Sequence, residues 1–315
     1  MLKRWLLFHV ASGQSFFSGL ALLLAAIAIS SAARRGWSRP ARNLIAGVGG
    51  ILIAVSGTPL PAVLYLLLVV ALLLWIWSES RRVRLSRRGL PLVRRTVSLA
   101  ALAAVVVEAP YHVVPRVPLL GRPVLGVVGD SITAGMGEPG ESTWPGSLAE
   151  RYGVEVRDHA TMGATVSSAL GQAKALTAEE RLVLLEIGGN DMLGGTAPEE
   201  FEAGLNTLLA AICRPGRTVV MLELPLPPGY NRYGIAQRRL ARKFGVLLVP
   251  KRVLLGILLR DGATVDTLHL SPAGHRWMAD TLWRVLRPAF VRERPPSLSP
   301  HRRNSASAEE AEPRG

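Results

Sequence analysis

Four apolar stretches, residues 16–33, 44–57, 60–77 and 96–114, occupy most of the first 114 positions of this 315-residue chain and carry one charged side chain between them, Glu108. A helix that crosses a bilayer needs roughly 20 mainly apolar residues. The first and third stretches approach that length, the second is short, and the fourth is broken by Glu108 and Pro110. Thr58-Pro59-Leu60-Pro61 is a tight breaker between the second and third. Three or more such runs this close together argue against the buried helices of a soluble core. They predict a membrane region at residues 1–122 with three to four transmembrane helices. Apolar character reaches back as far as Trp5, and Lys3 and Arg4 resemble the basic start of a signal peptide. Gln14 and several serines interrupt that run, and further apolar segments follow, which argues against cleavage.

The formal net charge of +14 sits almost entirely in this region. Residues 1–122 hold 15 Lys/Arg and 2 Asp/Glu, whereas residues 123–290 hold 17 of each sign. A nucleic-acid footprint would be a basic face on a folded domain, so no nucleic-acid partner is expected. Cytoplasmic loops of membrane proteins are enriched in Lys and Arg. With an outside N-terminus and four spans, 11 basic residues (Arg34, Arg35, Arg39, Arg42 and those from Arg81 to Arg95) fall inside, and 4 (Lys3, Arg4, Arg116, Arg122) fall outside. That arrangement makes the chain an integral membrane protein, of bacterial inner-membrane type, whose second half lies on the non-cytoplasmic side. If the fourth stretch lies along the interface instead, the second half faces the cytoplasm. Ion-pathway residues are missing from the middles of the stretches, against a transporter. Trp75 and Trp77 fit an interfacial aromatic belt or ordinary packing equally well. Cys213 is the single cysteine, so no intrachain disulfide is possible, and it reads as a small core residue.

From Val124 the pattern changes to short apolar runs alternating with amphipathic ones. Strands are expected at 124–128, 154–157, 182–187, 218–224 and 246–249, and helices at 143–152, 166–176, 198–212, 231–244 and 272–286. Such alternation predicts a flavodoxin-like three-layer α/β/α domain at 123–290 with a five-stranded parallel sheet. Chemistry in such folds collects beyond the C-terminal ends of the strands. The tail at 291–315, rich in Pro, Ser, Arg and Glu, reads as disordered.

Four short blocks fall where the chemistry is expected. Gly129-Asp130-Ser131 follows the first strand, where a serine at a strand-to-helix turn exposes its hydroxyl and backbone N–H groups face a developing oxyanion. A helix N-cap would use the same residues. Asp266-Thr267-Leu268-His269 lets one loop present a base and the carboxylate that fixes its tautomer. Ser271 and Pro272 after it form a helix start, and His275 lies inside that helix as a structural residue. Gly188-Gly189-Asn190-Asp191 offers a neutral amide donor or a simple turn, with Asp191 suited to holding the loop through backbone hydrogen bonds. Met162-Gly163 permits close backbone approach. No Gly-x-Ser-x-Gly elbow occurs, against the α/β-hydrolase family.

Together, Ser131, Gly163, Asn190 and His269 stand in the order and local contexts of the SGNH (GDSL-like) hydrolase family, which residues 124–286 resemble. Leu185-Glu186-Ile187-Gly188-Gly189-Asn190-Asp191 and the Asp-x-x-His-x-x-Pro-x-Gly ending are similar to the branch of bacterial periplasmic thioesterase/lysophospholipases and arylesterases. Ile132 replaces the leucine of the GDSL name, and Asp158 stands where relatives often have asparagine, which predicts altered packing around Gly163. The resemblance implies a serine esterase acting on an acyl ester or thioester of a lipid, lysophospholipid or acylated glycan. It implies Ser131 as nucleophile, His269 as base, Asp266 as its partner, and an oxyanion hole from the Ser131 and Gly163 N–H groups and the Asn190 amide, with no metal or organic cofactor. Acyl transfer to a sugar or lipid hydroxyl uses the same residues. A non-catalytic membrane binding module is disfavoured because all four blocks are intact.

Overall fold

In a computed structural model the described residues are 1–32, 38–80, 89–138 and 140–291; the expected disordered tail and most of the Arg81–Arg95 basic run lie outside them. The first apolar stretch forms two helices, α1 (Leu2–Ala11) and α2 (Gln14–Ala32). They part at Gly13, whose φ of 84° is a left-handed conformation that a Cβ disfavours. The second and third stretches form α3 (Ser38–Ala54) and α4 (Ala62–Ser80), separated by the expected Pro59/Pro61 break. The fourth begins earlier than expected, as α5 (Gly89–Glu108), and tightens into a 3-10 turn at Ala109–His112 where Pro110 removes a backbone donor. By length and composition two of these helices could cross a membrane, with 18-residue windows at 14–31 and 62–79 of mean hydropathy 1.7 and 2.2.

The four long helices alternate in direction, so two sets of ends gather. At one end, Glu79 lies between Arg42 (2.9 Å) and Arg94 (2.6 Å), tying α3, α4 and α5 together. At the other, Gly13, Gly57 and Glu108 meet the second half of the chain.

That half carries β1 (Leu125–Gly129), α6 (Ser131–Ala134), α7 (Trp144–Tyr152), β2 (Val156–Asp158), α8 (Leu170–Ala175) and β3 (Leu182–Glu186). Then come α9 (Gly189–Leu193), α10 (Pro198–Ile212), β4 (Thr218–Leu222), α11 (Asn231–Phe244), β5 (Leu247–Val249), α12 (Lys251–Leu258) and α13 (Pro272–Leu286). The five strands form one parallel sheet in the order β2-β1-β3-β4-β5, the flavodoxin-like order. Alternate residues of the strands feed two cores. Val128, Val183, Leu185 and Met221 face Phe201, Leu205 and Leu240 of α10 and α11. Val127, Leu184, Val220 and Val249 face Leu148, Leu254 and Leu282 of α7, α12 and α13.

Three local readings are corrected. β4 ends two residues early because Leu224 N–H leaves the sheet for Gln237 Oε1 (2.9 Å). The helix expected at 166–176 is reduced to α8, because Val166 N–H is drawn to Asp191 Oδ2 (2.9 Å) and Ser168 folds a turn onto Thr165. α12 was not foreseen; Lys251 and Arg252 open it and leave an apolar stretch of only residues 253–259.

The junction between the two halves is polar and buried. Arg238 of α11 reaches Glu108 with both terminal nitrogens (2.6 and 2.9 Å) and Glu223 through Nε (2.7 Å). Both carboxylates are 0% exposed. The Arg238 guanidinium also lies 3.8 Å over the Tyr111 ring. Lys251 donates from Nζ to the Gly57 carbonyl, and a Cβ at Gly57 would overlap the carbonyl oxygen of Leu226. Glu108, an interruption when read along the sequence, is thus the partner of an arginine 130 residues away.

Candidate active site

Ser131 begins α6, directly after β1, and Asn190 lies in α9, directly after β3. The strand order reverses between these strands, the place where a parallel sheet opens a crevice beyond its C-terminal edge. Asp130 caps α6 by accepting from Ile132 N–H (3.0 Å), and Ser131 is 7% exposed. The turn is held from below by Gln172, whose amide pairs with both the N–H and the carbonyl of Gly129 (3.0 Å each).

Asp266 and His269 meet as expected, with Nδ1 of the ring 2.7 Å from Asp266 Oδ2. The other carboxylate oxygen, Oδ1, accepts from the backbone N–H groups of Leu268 (2.7 Å) and His269 (2.8 Å). The His269 hydrogen bond, reinforced by those two donors, holds the Asp266 carboxyl well below its usual range. An ionised carboxylate only accepts, so His269 Nδ1 carries a proton, and in the neutral ring Nε2 presents a lone pair.

Asn190 Nδ2 donates to the Ala164 carbonyl (3.0 Å), which fixes its amide next to Gly163 and leaves a second N–H. Asp191 anchors the same loop through Val166 N–H, the backbone role expected of it. Asp158 accepts from Ala160 N–H (2.9 Å) and shapes the turn leading to Gly163. His275 is structural, as expected: it is 1% exposed, and its Nδ1 accepts from Trp144 N–H (3.1 Å). Burial lowers its pKa despite Glu141 nearby.

Sequence reasoning gave no role to Glu186. This residue ends β3, is 1% exposed, and accepts from the Thr133 hydroxyl (3.0 Å), whose oxygen in turn accepts from Trp144 Nε1 (3.3 Å). Burial, and then the charge of Asp130, push the Glu186 carboxyl well above its ordinary range. Asp130 is raised as well, chiefly by burial. Burial thus disfavours a negative charge on both acids, and more strongly on the deeper Glu186. The available signal was an acid ending an otherwise wholly apolar buried strand, Leu182-Val183-Leu184-Leu185-Glu186. The hollow of about 420 Å³ beside Cys213, Arg217 and Phe244 lies at the opposite, N-terminal edge of the sheet and has no part in this site.

Residues 127–277 match the GDSL-like Lipase/Acylhydrolase family. Esterase TesA of Pseudomonas aeruginosa is 32% identical over 177 residues, which cover 51% of this chain and 87% of that protein. The chain belongs to the GDSL-like lipase/acylhydrolase family. An arylesterase of Vibrio mimicus is 30% identical over 49% of this chain and 83% of its own length. The thioesterase 1/protease 1/lysophospholipase L1 of Escherichia coli is 26% identical over 51% and 82%. The crystal structure of TesA aligns with a TM-score of 0.46 at 29% identity, over 53% of this chain and 99% of that one. This GDSL-type protein is a carboxylic ester hydrolase. The family match begins at Val127 and leaves the five N-terminal helices outside it.

Proposed function

We propose that this GDSL hydrolase is a membrane-anchored serine esterase in which Ser131, His269 and Asp266 act as a triad. The observation that carries the reading is the Asp266–His269 pair, which fixes the tautomer with Nε2 free to take the Ser131 proton. Ser131 Oγ attacks the acyl carbonyl as its proton passes to His269. The Ser131 and Gly163 N–H groups and the second amide N–H of Asn190 receive the oxyanion. Collapse breaks the C–O or C–S bond, and His269 returns the proton to the leaving group. Water deprotonated by the same base then releases the acyl group from Ser131.

The anchor reading is supported by α2 and α4, each of 19 residues, and so about 28 Å long. Only 22% of the apolar window of α4 is covered by protein, and Leu66, Leu67, Leu73 and Leu74 are all at least half exposed. Soluble monomers rarely leave so large an apolar surface in water. Four spans would put the Arg42–Glu79–Arg94 cluster and the basic loops inside, and the hydrolase domain on the non-cytoplasmic side.

A membrane-impermeant fluorophosphonate applied to bacterial spheroplasts making the full chain tests both parts. It should label Ser131 in intact spheroplasts, and Ser131→Ala should abolish labelling. Labelling at another residue in the lysed sample rejects the nucleophile. Labelling of Ser131 only after lysis rejects the topology and leaves the esterase intact.

A further inference from the structure

The anchoring helices and the active site occupy the same edge of the sheet. Glu223 and Leu226 follow β4, and Lys251 follows β5; these are the residues that receive Glu108 and Gly57, through Arg238 in the first case. Ser131 and Asn190 follow β1 and β3 on that edge. α12 does not return along the sheet. Its first residue, Lys251, is at the C-terminal edge. Beyond its end, Ala263 accepts from Ser271 N–H (2.8 Å), at the start of α13, where His275 meets Trp144 beside the Ser131 turn. α12 therefore crosses that edge from β5 toward the His269 loop.

α1 crosses beside it in the opposite direction. Gly13 packs against Lys251, Phe8 against Gly256, and Arg4 pairs with Asp261 (2.5 Å), five residues before Asp266. Leu2, Trp5 and Leu6, at the spacing of one helix face, stand 71%, 58% and 47% exposed. The large apolar side chains exposed between residues 123 and 290 stand on the same edge of the sheet. Among the described residues they are Met136, Met162, Leu193, Tyr230, Val265 and Leu268. Every one lies on a segment that follows a strand at the catalytic edge or holds His269.

We infer that α1 and this apolar rim form one surface that rests on the bilayer. The mouth above Ser131 then opens at the lipid headgroup level, and the acyl ester attacked belongs to an amphiphile resident in the same membrane. The inference rests on the membrane-anchored esterase proposed above and names its substrate source. The occupant of the apolar surface is the lipid interface because the surface is continuous, through Gly13, with the helix that enters the bilayer. An amphipathic helix of this kind lies in the interface with its apolar stripe among the acyl chains. Water-soluble esters reach the same serine from the side but gain nothing from the rim.

The full chain is reconstituted into phosphatidylcholine vesicles and given two esters with the same leaving group, 4-methylumbelliferyl acetate in water and 4-methylumbelliferyl palmitate in the bilayer. The palmitate should be cleaved about tenfold or more faster in the enzyme's own vesicles than when offered in separate ones, because the rim draws on its own membrane. Trp5→Glu with Leu6→Glu should remove that advantage and leave acetate turnover within about twofold, since neither residue touches the site. Equal palmitate rates in the two formats, or acetate cleavage with no palmitate cleavage, would overturn the inference while the esterase stands. Failure to cleave either ester would remove the esterase reading and the inference with it. Should the double variant fail to fold, the comparison of formats with the unaltered chain decides.

Discussion

Glu186→Gln tests whether the acid pair under Ser131 is held together by a shared proton. A protonated Glu186 can donate to Asp130 while Oε2 accepts from Thr133 (3.0 Å). A glutamine amide reproduces both contacts, donating to Asp130 and accepting from Thr133. At pH 5 the substitution should therefore change stability by less than about 1 kcal/mol, a hydrogen bond exchanged for its equivalent. The unfolded chain gives up this proton near the ordinary glutamate value of 4.5, and the folded chain keeps it to higher pH. Between those two values the folded state binds one more proton, so wild-type stability falls by about 1.4 kcal/mol per pH unit and levels off above the folded value. Below pH 4.5 both states are protonated and the contribution is fully present. Glu186→Gln lacks this dependence and should overtake the wild type as pH rises. Melting of both proteins in the same detergent from pH 4.5 to 9 measures the difference curve, in which contributions common to both cancel. Glu186→Ala is the control and should cost about 2–4 kcal/mol near pH 4.5 through lost contacts and a cavity, a deficit that shrinks with rising pH in parallel with the glutamine curve. A flat difference between wild type and Glu186→Gln would refute the shared proton.

Asn190→Ala should lower kcat by about 10²- to 10³-fold with little change in KM, because the amide donor matters most once the oxyanion forms; steady-state kinetics on the acetate ester checks this, and a KM effect alone would argue for a purely structural amide. Arg238→Met strands two carboxylates that are 0% exposed, and should cost about 3–5 kcal/mol. Adding Glu108→Gln should recover part of that loss, since the two residues share one network. Thermal midpoints of the full chain in detergent measure both, and strict additivity would exclude the Glu108–Arg238 coupling.

The hydrolase half was legible because local pattern and global fold agree there. Short apolar runs, the mark of strands buried on both faces, alternate with amphipathic helices, two of them ended by Gly153 and Gly245, and that alternation carries the three-layer parallel fold. The Asp266–His269 pair was legible because its two members are three residues apart. Glu186 was not, since its partners Thr133 and Asp130 lie more than 50 residues away and only the sheet brings them together. α12 was hidden because its apolar stretch, residues 253–259, is too short to show a helical period. Glu108 was misjudged for a related reason. An acid at the end of an apolar segment looks like a boundary marker until its cation, on α11, is known. In the N-terminal half, apolar runs located the helices, but nothing in them foretold that α1 would turn away at Gly13.

The clasp between Glu108 and Arg238 also has a chronology. The ribosome makes Glu108 first, and its partner emerges 130 residues later. Throughout that interval the acid waits at the end of α5 with the surface around Gly57 and Pro59 uncovered, and the His112 ring (3.2 Å) is its side-chain partner nearest in sequence. The closing contact is therefore made late, when α11 packs, and it joins the first-made part of the chain to one of the last. A fragment starting near Arg122 would face the complementary difficulty. Arg238 would keep Glu223 but lose Glu108, and Leu226, Gly234 and Lys251 would lose the backbone they are fitted against. Closure of the hydrolase half is thus tied to correct packing of the helices ahead of it, which amounts to a quality check on assembly: a chain whose N-terminal helices are misplaced leaves its enzyme incompletely closed.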